Sequence, residues 1–211
     1  AFIGQNGSGK TTFAKCLSGL LKPTHGEILI EGKSVVDYKR KELSSRIGYV
    51  FQNPDHQLFN SSVKKEIISG PENLGLSHHQ VKLRLTESAY IAGVPEELFS
   101  QHPFFLSKGL RQRVAIASIL AMEPHTIIVD EPTTGQDYQQ SIAVMEFLRR
   151  LNKEKKHTII IITHDMYIVA RYAKRVLLFK AGKKLLDNQT GKVFTIPVVG
   201  KMCTIQKSAI Y

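Results

Sequence analysis

The chain has 211 residues, 42% of them hydrophobic, and its 29 Lys and Arg against 18 Asp and Glu give a formal net charge of +11. That is enough apolar material for one good core, glycine and proline are too sparse for a collagen-like or disordered chain, and no apolar run approaches the roughly 20 residues that span a bilayer. Cys16 and Cys203 cannot build a disulfide scaffold and nothing at the N-terminus has the order of a secretory signal, so a reduced, intracellular setting is the default expectation.

Only Ala1–Ile3 precede the first motif, fewer residues than a parallel strand usually needs, which implies an excerpt with an upstream strand missing. Thr11–Leu20 predicts a helix with Phe13, Leu17 and Leu20 on one face and Gly19 or Pro23 near its end. Ile28–Ile30, enclosed by Gly26 and Gly32, predicts an edge strand leading into a turn. Ile47–Phe51 predicts the next strand, ending at Gln52, Asn53 and Pro54, because a residue before proline avoids the helical region.

Helical patterns then take over. Val63 and Ile67 lie four apart behind a capping Ser61 or Ser62, and Ser77 with Gln80 forms a capping box before a helix to about Ala92. Pro71, Gly75, Gly93 and Pro95 punctuate this stretch. It reads as a helical insertion, about 55–122, because the earlier rhythm resumes: helix 108–122, strand 126–130, helix 137–152, strand 157–162, helix 166–173 and strand 175–179. Alternating helices and wholly apolar strands predict an α/β fold whose mostly parallel sheet is covered by helices. Past Asp187 the periodicity fades, which divides the chain into a domain over 1–187 and a tail or start of an extension over 188–211. Residues 147–211 supply the whole positive excess, either as a face drawn to phosphate on lipid or nucleic acid or as a solvated surface.

Three motifs carry chemistry. Gly4, Gly9, Lys10 and Thr11 satisfy G-x-x-x-x-G-K-[ST] directly before a helix. Glycines let backbone N–H groups curl around a β-phosphate, the helix N-terminus adds its positive end, Lys10 reaches the β and γ oxygens, and the Thr11 hydroxyl can ligate Mg²⁺. Asn6, Gly7, Ser8 and Thr12 complete that cradle. HTIIVDEP at 125–132 ends an apolar strand in Asp130, a candidate Mg²⁺ ligand, and Glu131, a candidate general base. IIIITHD at 159–165 delivers His164 to the same sheet edge, placed to sense a γ-phosphate and orient the water. The other seven histidines give no convincing zinc spacing.

With these residues in view, the sequence resembles the ATPase subunits of ATP-binding cassette transporters over 1 to about 187. LSKGLRQR at 106–113 is similar to that family's signature LSGGQ-x-QR. The resemblance implies a P-loop NTPase fold with a truncated N-terminal antiparallel part, and ATP with Mg²⁺ as ligands. It implies a head-to-tail dimer, homomeric or heteromeric, in which Ser107 and Gly109 contact the nucleotide of the opposite subunit. Gln52 is then a glutamine linking Mg²⁺ and water to the insertion, and Thr133–Asp137 the loop that crosses the dimer. FQNPDHQLF at 51–59, notably Asp55, Gln57, Leu58 and Phe59, looks most like the energy-coupling-factor type, which takes up vitamins or cobalt and nickel ions. That implies a peripheral place on the cytoplasmic face of the cell membrane and a membrane subunit whose coupling helix enters a groove. Leu58, Phe59 and Val63 would line the groove, or else belong to the insertion core.

Three positions depart from the pattern: Lys108 for a signature glycine, Leu110 for the glutamine, and Gln136 where leucine is usual. Lys108 either attracts a neighbouring triphosphate or obstructs its approach. Two other readings stay open, a soluble relative acting on nucleic acid or ribosomes and a regulatory cassette that binds ATP with little turnover. The aromatic that stacks on adenine in the family has no counterpart in Ala1–Ile3.

Overall fold

A computed structural model describes residues 1–134 and 138–196, so the expectations for Gln136 and Asp137, and for the tail from Pro197 on, lie outside the described residues. Six strands form one sheet in the spatial order β4 (Ile47–Val50), β5 (Thr126–Asp130), β6 (Thr158–Ile162), β1 (Phe2–Ile3), β7 (Arg175–Lys180) and β8 (Lys183–Gln189). Its first five members are parallel and β8 returns antiparallel along the edge. Phe2 of β1 registers with Ile162 on one side and Leu177 on the other, so the first strand is held between two of the last.

Side-chain alternation sorts the sheet into two faces. Ile127 and Val129, with Val50 and Ile161, join the core shared with α5 (Lys108–Leu120) and α6 (Tyr138–Glu154). Ile128, with Phe2, Tyr49, Ile162 and Phe179, packs on the opposite face with Ala14 of α1 (Lys10–Leu17). One step beyond Val129 the alternation turns Asp130 toward α1, which is how a carboxylate reaches the helix behind the first motif. A third cluster, Ile3, Val169, Val176, Leu178 and Val193, joins β1 and β7 to α7 (Met166–Tyr172) and α8 (Thr190–Phe194). The predicted P-loop NTPase fold is thus present. Its small antiparallel part is the hairpin β2 (Leu29–Ile30) and β3 (Lys33–Ser34), whose turn places Glu31 and Gly32 at φ 52 and 79, the sense of twist that two-residue hairpins favour.

Element bounds fall close to expectation, with instructive exceptions. α1 stops at Leu17: Gly19 at φ 71 bonds back to Cys16 and Leu20 to Lys15, a left-handed closure that leaves Leu20 outside the helix and exposed. Pro71 lies buried inside α3 (Val63–Leu74), contrary to its reading as punctuation. It forfeits the one i→i−4 bond that an N–H there would make, yet the helix runs on for three residues and ends at left-handed Gly75 instead. Ser62, rather than Ser61, caps α3, and Ser77 with Gln80 forms the expected box on α4 (His78–Ala92). Regular structure continues past Asp187, because β8 runs on to Gln189 and α8 buries Val193.

Candidate nucleotide site

The loop between β1 and α1 is shaped by three left-handed or extended glycines, Gly4 at φ 145, Gly7 at 76 and Gly9 at 98. At Gly4 a Cβ would stand 2.2 Å from the Phe179 carbonyl and 2.8 Å from Ser8 Oγ, so any side chain there would collide with β7. The loop is braced from the same side by the Gly182 amide, which donates to Ser8 O at 3.1 Å. Buried Lys10 turns its ammonium into the loop, donating to Gly4 O at 2.8 Å and Gln5 O at 3.0 Å. The start of α1 behind it leaves backbone N–H groups facing outward, the arrangement that favours an anion.

Asp130, 4% exposed, accepts from Thr11 Oγ1 at 3.0 Å and from the Tyr49 phenol at 2.7 Å, both on Oδ2. Burial, reinforced by that bond, pushes the Tyr49 phenol far above its ordinary range, so it stays protonated and serves as a donor. Asp130 Oδ1 is buried with no hydrogen-bond partner among the described residues. A buried carboxylate oxygen without a donor is costly. Beside a threonine hydroxyl, this all-oxygen donor set suits a hard cation such as Mg²⁺.

Glu131, 8% exposed, follows at φ 48, a left-handed conformation costing a residue with a Cβ about 1–2 kcal/mol. Its N–H bonds Ile162 O at 2.8 Å. Its Oε1 meets His164 Nδ1 at 3.0 Å, while Oε2 accepts from Thr134 Oγ1 at 3.2 Å and, more loosely, from Thr163 Oγ1 at 3.5 Å. The histidine side chain is largely exposed at the strand end. Asp165 then caps α7 through the amides of Tyr167 and Ile168.

A cleft of about 450 Å³ gathers these groups: residues 6–12, Gln52, Asp130, Glu131, Thr134 and His164 all line it. Ser107 and Gly109 are not among its lining. They stand at the start of α5, where the exposed Ser107 caps the helix by accepting the Leu110 amide at 3.4 Å. Arg111 of the same motif pairs with Asp55 at 2.8 Å, which fixes the signature segment to the loop after Gln52. Gln57 tightens that loop by accepting from Phe51 N at 3.3 Å and donating to Ala115 O at 2.9 Å. Of the two readings of Leu58, Phe59 and Val63, insertion core holds for Leu58 and Val63, which are buried there, while Phe59, 80% exposed, faces outward. Buried Glu66 imposes this, since its Oε2 accepts the amides of Phe59 and Asn60 at 3.0 and 2.7 Å.

Sequence reasoning missed Tyr49, Thr163 and Glu66. Tyr49 carried a usable signal, a phenol in an aliphatic strand that ends level with Asp130. Glu66 carried none, because a helical glutamate ordinarily reads as solvated.

A model of the family described as ABC transporter matches residues 1–134. A putative ABC transporter ATP-binding protein of Methanosarcina acetivorans is 46% identical over 197 residues, 93% of this chain but 32% of that protein. The chain therefore spans about a third of the length of such relatives. The energy-coupling factor transporter ATP-binding protein EcfA2 of Ligilactobacillus salivarius is 43% identical over 201 residues, covering 93% of this chain and 70% of that one. Among solved structures, cbiO1 from Clostridium perfringens, part of the ABC transporter complex cbiONQ, superposes with a TM-score of 0.82 at 37% identity over 98% of this chain and 82% of its own. The ATP-binding cassette MJ0796, as a dimer in a post-hydrolysis state with ADP and Pi, superposes at 0.79 with 28% identity over 90% and 84%. With the phosphate loop, the paired carboxylates and the histidine assembled in one cleft, the chain belongs to the ABC transporter family of ATP-binding subunits and closely matches those of the energy-coupling-factor type.

Proposed function

We propose that the cleft binds ATP with Mg²⁺ and hydrolyses it to ADP and phosphate, coupled to uptake of a vitamin or of cobalt or nickel ions. One observation carries the reading: Asp130, held by Thr11 and Tyr49, keeps a second buried oxygen without a donor beside the phosphate loop. Thr11, Asp130 and Gln52 would hold Mg²⁺, whose chemistry is to neutralise phosphate charge.

The chain's own groups do the rest. Gly4, Asn6, Gly7, Ser8, Gly9 and Thr12 shape and line the backbone cradle for the phosphates, and Lys10 swings from its carbonyl partners to their oxygens. Glu131 accepts the proton of the water that attacks the γ-phosphorus, the bond from that phosphorus to the bridging oxygen breaks, and ADP leaves with that oxygen. His164 holds the glutamate in line through Oε1.

A second ATPase subunit, identical or related, pairs head to tail with this one so that Ser107 and Gly109 reach its nucleotide; that the ADP-bound relative is dimeric supports the pairing. The membrane partner docks by the exposed Phe59, in keeping with the relative that is part of a transporter complex. Among the described residues no helix is long and apolar enough to cross a membrane, and the place proposed for the subunit is peripheral, on the cytoplasmic face.

Calorimetry with Mg-ATP tests the reading. Lys10→Ala weakens binding about 10–100-fold, the worth of one charged hydrogen bond, whereas Glu131→Gln keeps binding and slows turnover about 100-fold or more. Binding by wild type that Lys10→Ala leaves intact would overturn it.

A further inference from the structure

Lys108 occupies the first helical position of α5, and its ammonium donates to the carbonyl of Thr134 at 3.2 Å. Thr134 closes the turn that follows Glu131. Its amide donates to Glu131 O at 3.2 Å and its hydroxyl to Glu131 Oε2 at 3.2 Å. A single threonine therefore holds both the backbone and the carboxylate of Glu131, and the lysine holds the threonine. The restraint has work to do, because a residue with a Cβ stays at φ 48 only when its surroundings keep it there.

We propose that Lys108 is a positioning residue for Glu131, acting through Thr134 to keep the carboxylate aimed into the cleft and tying the signature end of α5 to the hydrolytic group of its own chain. The role in turnover rests on the ATPase reading above, while the tether itself does not.

Chemistry explains why lysine suits the task. The gap from helix to turn needs a long stem, and three rotatable N–H donors let an exposed ammonium find a carbonyl without a fixed approach angle. A glycine at 108 has no side chain to span it. Of the two readings of this lysine, the one in which its charge attracts a neighbouring triphosphate is recast, since its ammonium is engaged within the chain. Being exposed, the bond has little influence on global stability. It biases the fraction of time the turn is closed, which a rate reads directly.

The test compares wild type, Lys108→Ala, Lys108→Gly and Lys108→Arg in the full-length protein with its partners. Two readouts are needed, hydrogen exchange of the Thr134 amide without nucleotide, and kcat and KM for Mg-ATP taken separately. We expect Lys108→Ala and Lys108→Gly to speed that exchange and lower kcat by about 3–10-fold, matching one hydrogen bond, with KM moved less than about 2-fold. Lys108→Arg, which also reaches a carbonyl, restores both. Exchange that stays as slow in Lys108→Ala as in wild type, or kcat unchanged or raised in Lys108→Gly, overturns the proposal. Wild type that neither binds nor hydrolyses Mg-ATP defeats the ATPase reading instead, and the exchange arm still decides whether the tether exists.

Discussion

The phenol of Tyr49 donates to Asp130 Oδ2 at 2.7 Å, on the same oxygen that accepts from Thr11 at 3.0 Å. Two donors on one oxygen fix the rotation of the carboxylate and leave Oδ1 buried without a donor among the described residues. Tyr49→Phe removes one donor while keeping the ring against Phe51. The expected result is a stability loss of about 1 kcal/mol by denaturant titration. The magnesium concentration that half-saturates ATP binding rises about 10-fold, as for loss of an outer partner of a metal ligand. An unchanged magnesium dependence would mean that Thr11 alone orients Asp130.

Gly4 and Gly7 separate contact from conformation. Both have positive φ, but a Cβ at Gly4 meets Phe179 O at 2.2 Å whereas one at Gly7 meets nothing within 4 Å. Gly4→Ala should cost about 2–4 kcal/mol because β7 must shift, and Gly7→Ala about 1 kcal/mol for backbone strain alone. Equal losses in nucleotide-free unfolding experiments would refute the steric account.

Glu66 is 2% exposed and satisfies two amides with one oxygen. Glu66→Ala strands both donors and should lower stability by about 2–4 kcal/mol, with faster exchange at Phe59 and Asn60. Glu66→Gln keeps an acceptor and should cost less than half as much. Because the loop presents Phe59, capture of the membrane partner should weaken in the same order.

Arg175 grips Asp187 with two bonds of 2.7 and 2.9 Å across the β7–β8 pair. The Arg175 hydrogen bond, chiefly, lowers the Asp187 carboxyl from 3.8 to about 2. A depressed carboxylate stabilises the fold above its unfolded value and loses that contribution as pH falls through its folded value. The clasp should therefore hold above pH 3.8 and fail between there and about 2. Carbon-detected titration of the Asp187 side chain reads this directly, and a midpoint near the unfolded value would refute it.

The sheet and the central site were legible because short, wholly apolar runs and a glycine-lysine loop state their geometry locally. Asp130 and Glu131 could be placed at a strand end since Ile127–Val129 had to be buried. What could not be read were relations between distant segments. Tyr49 meets Asp130 only once β4 and β5 are in register, and Lys108 meets Thr134 only after α5 has packed. Pro71 misled because burial in the fold, which local sequence does not show, can offset the lost helical bond. Leu58 and Val63 stayed ambiguous because an apolar side chain gives the same local signal at a docking face and in a core.

The seating of β1 between β6 and β7 imposes an order of events at the ribosome. Phe2 cannot find Ile162 and Leu177, nor Ser8 its brace at Gly182, until nearly the whole described chain has emerged. At translation speeds of about 5–20 residues per second, Phe2 and Ser8 wait roughly 10–40 seconds for these partners to be made. The strand around Phe2 is thus made well before both of its neighbours and seated only after them, a nascent segment that a chaperone has time to shelter before any nucleotide is gripped.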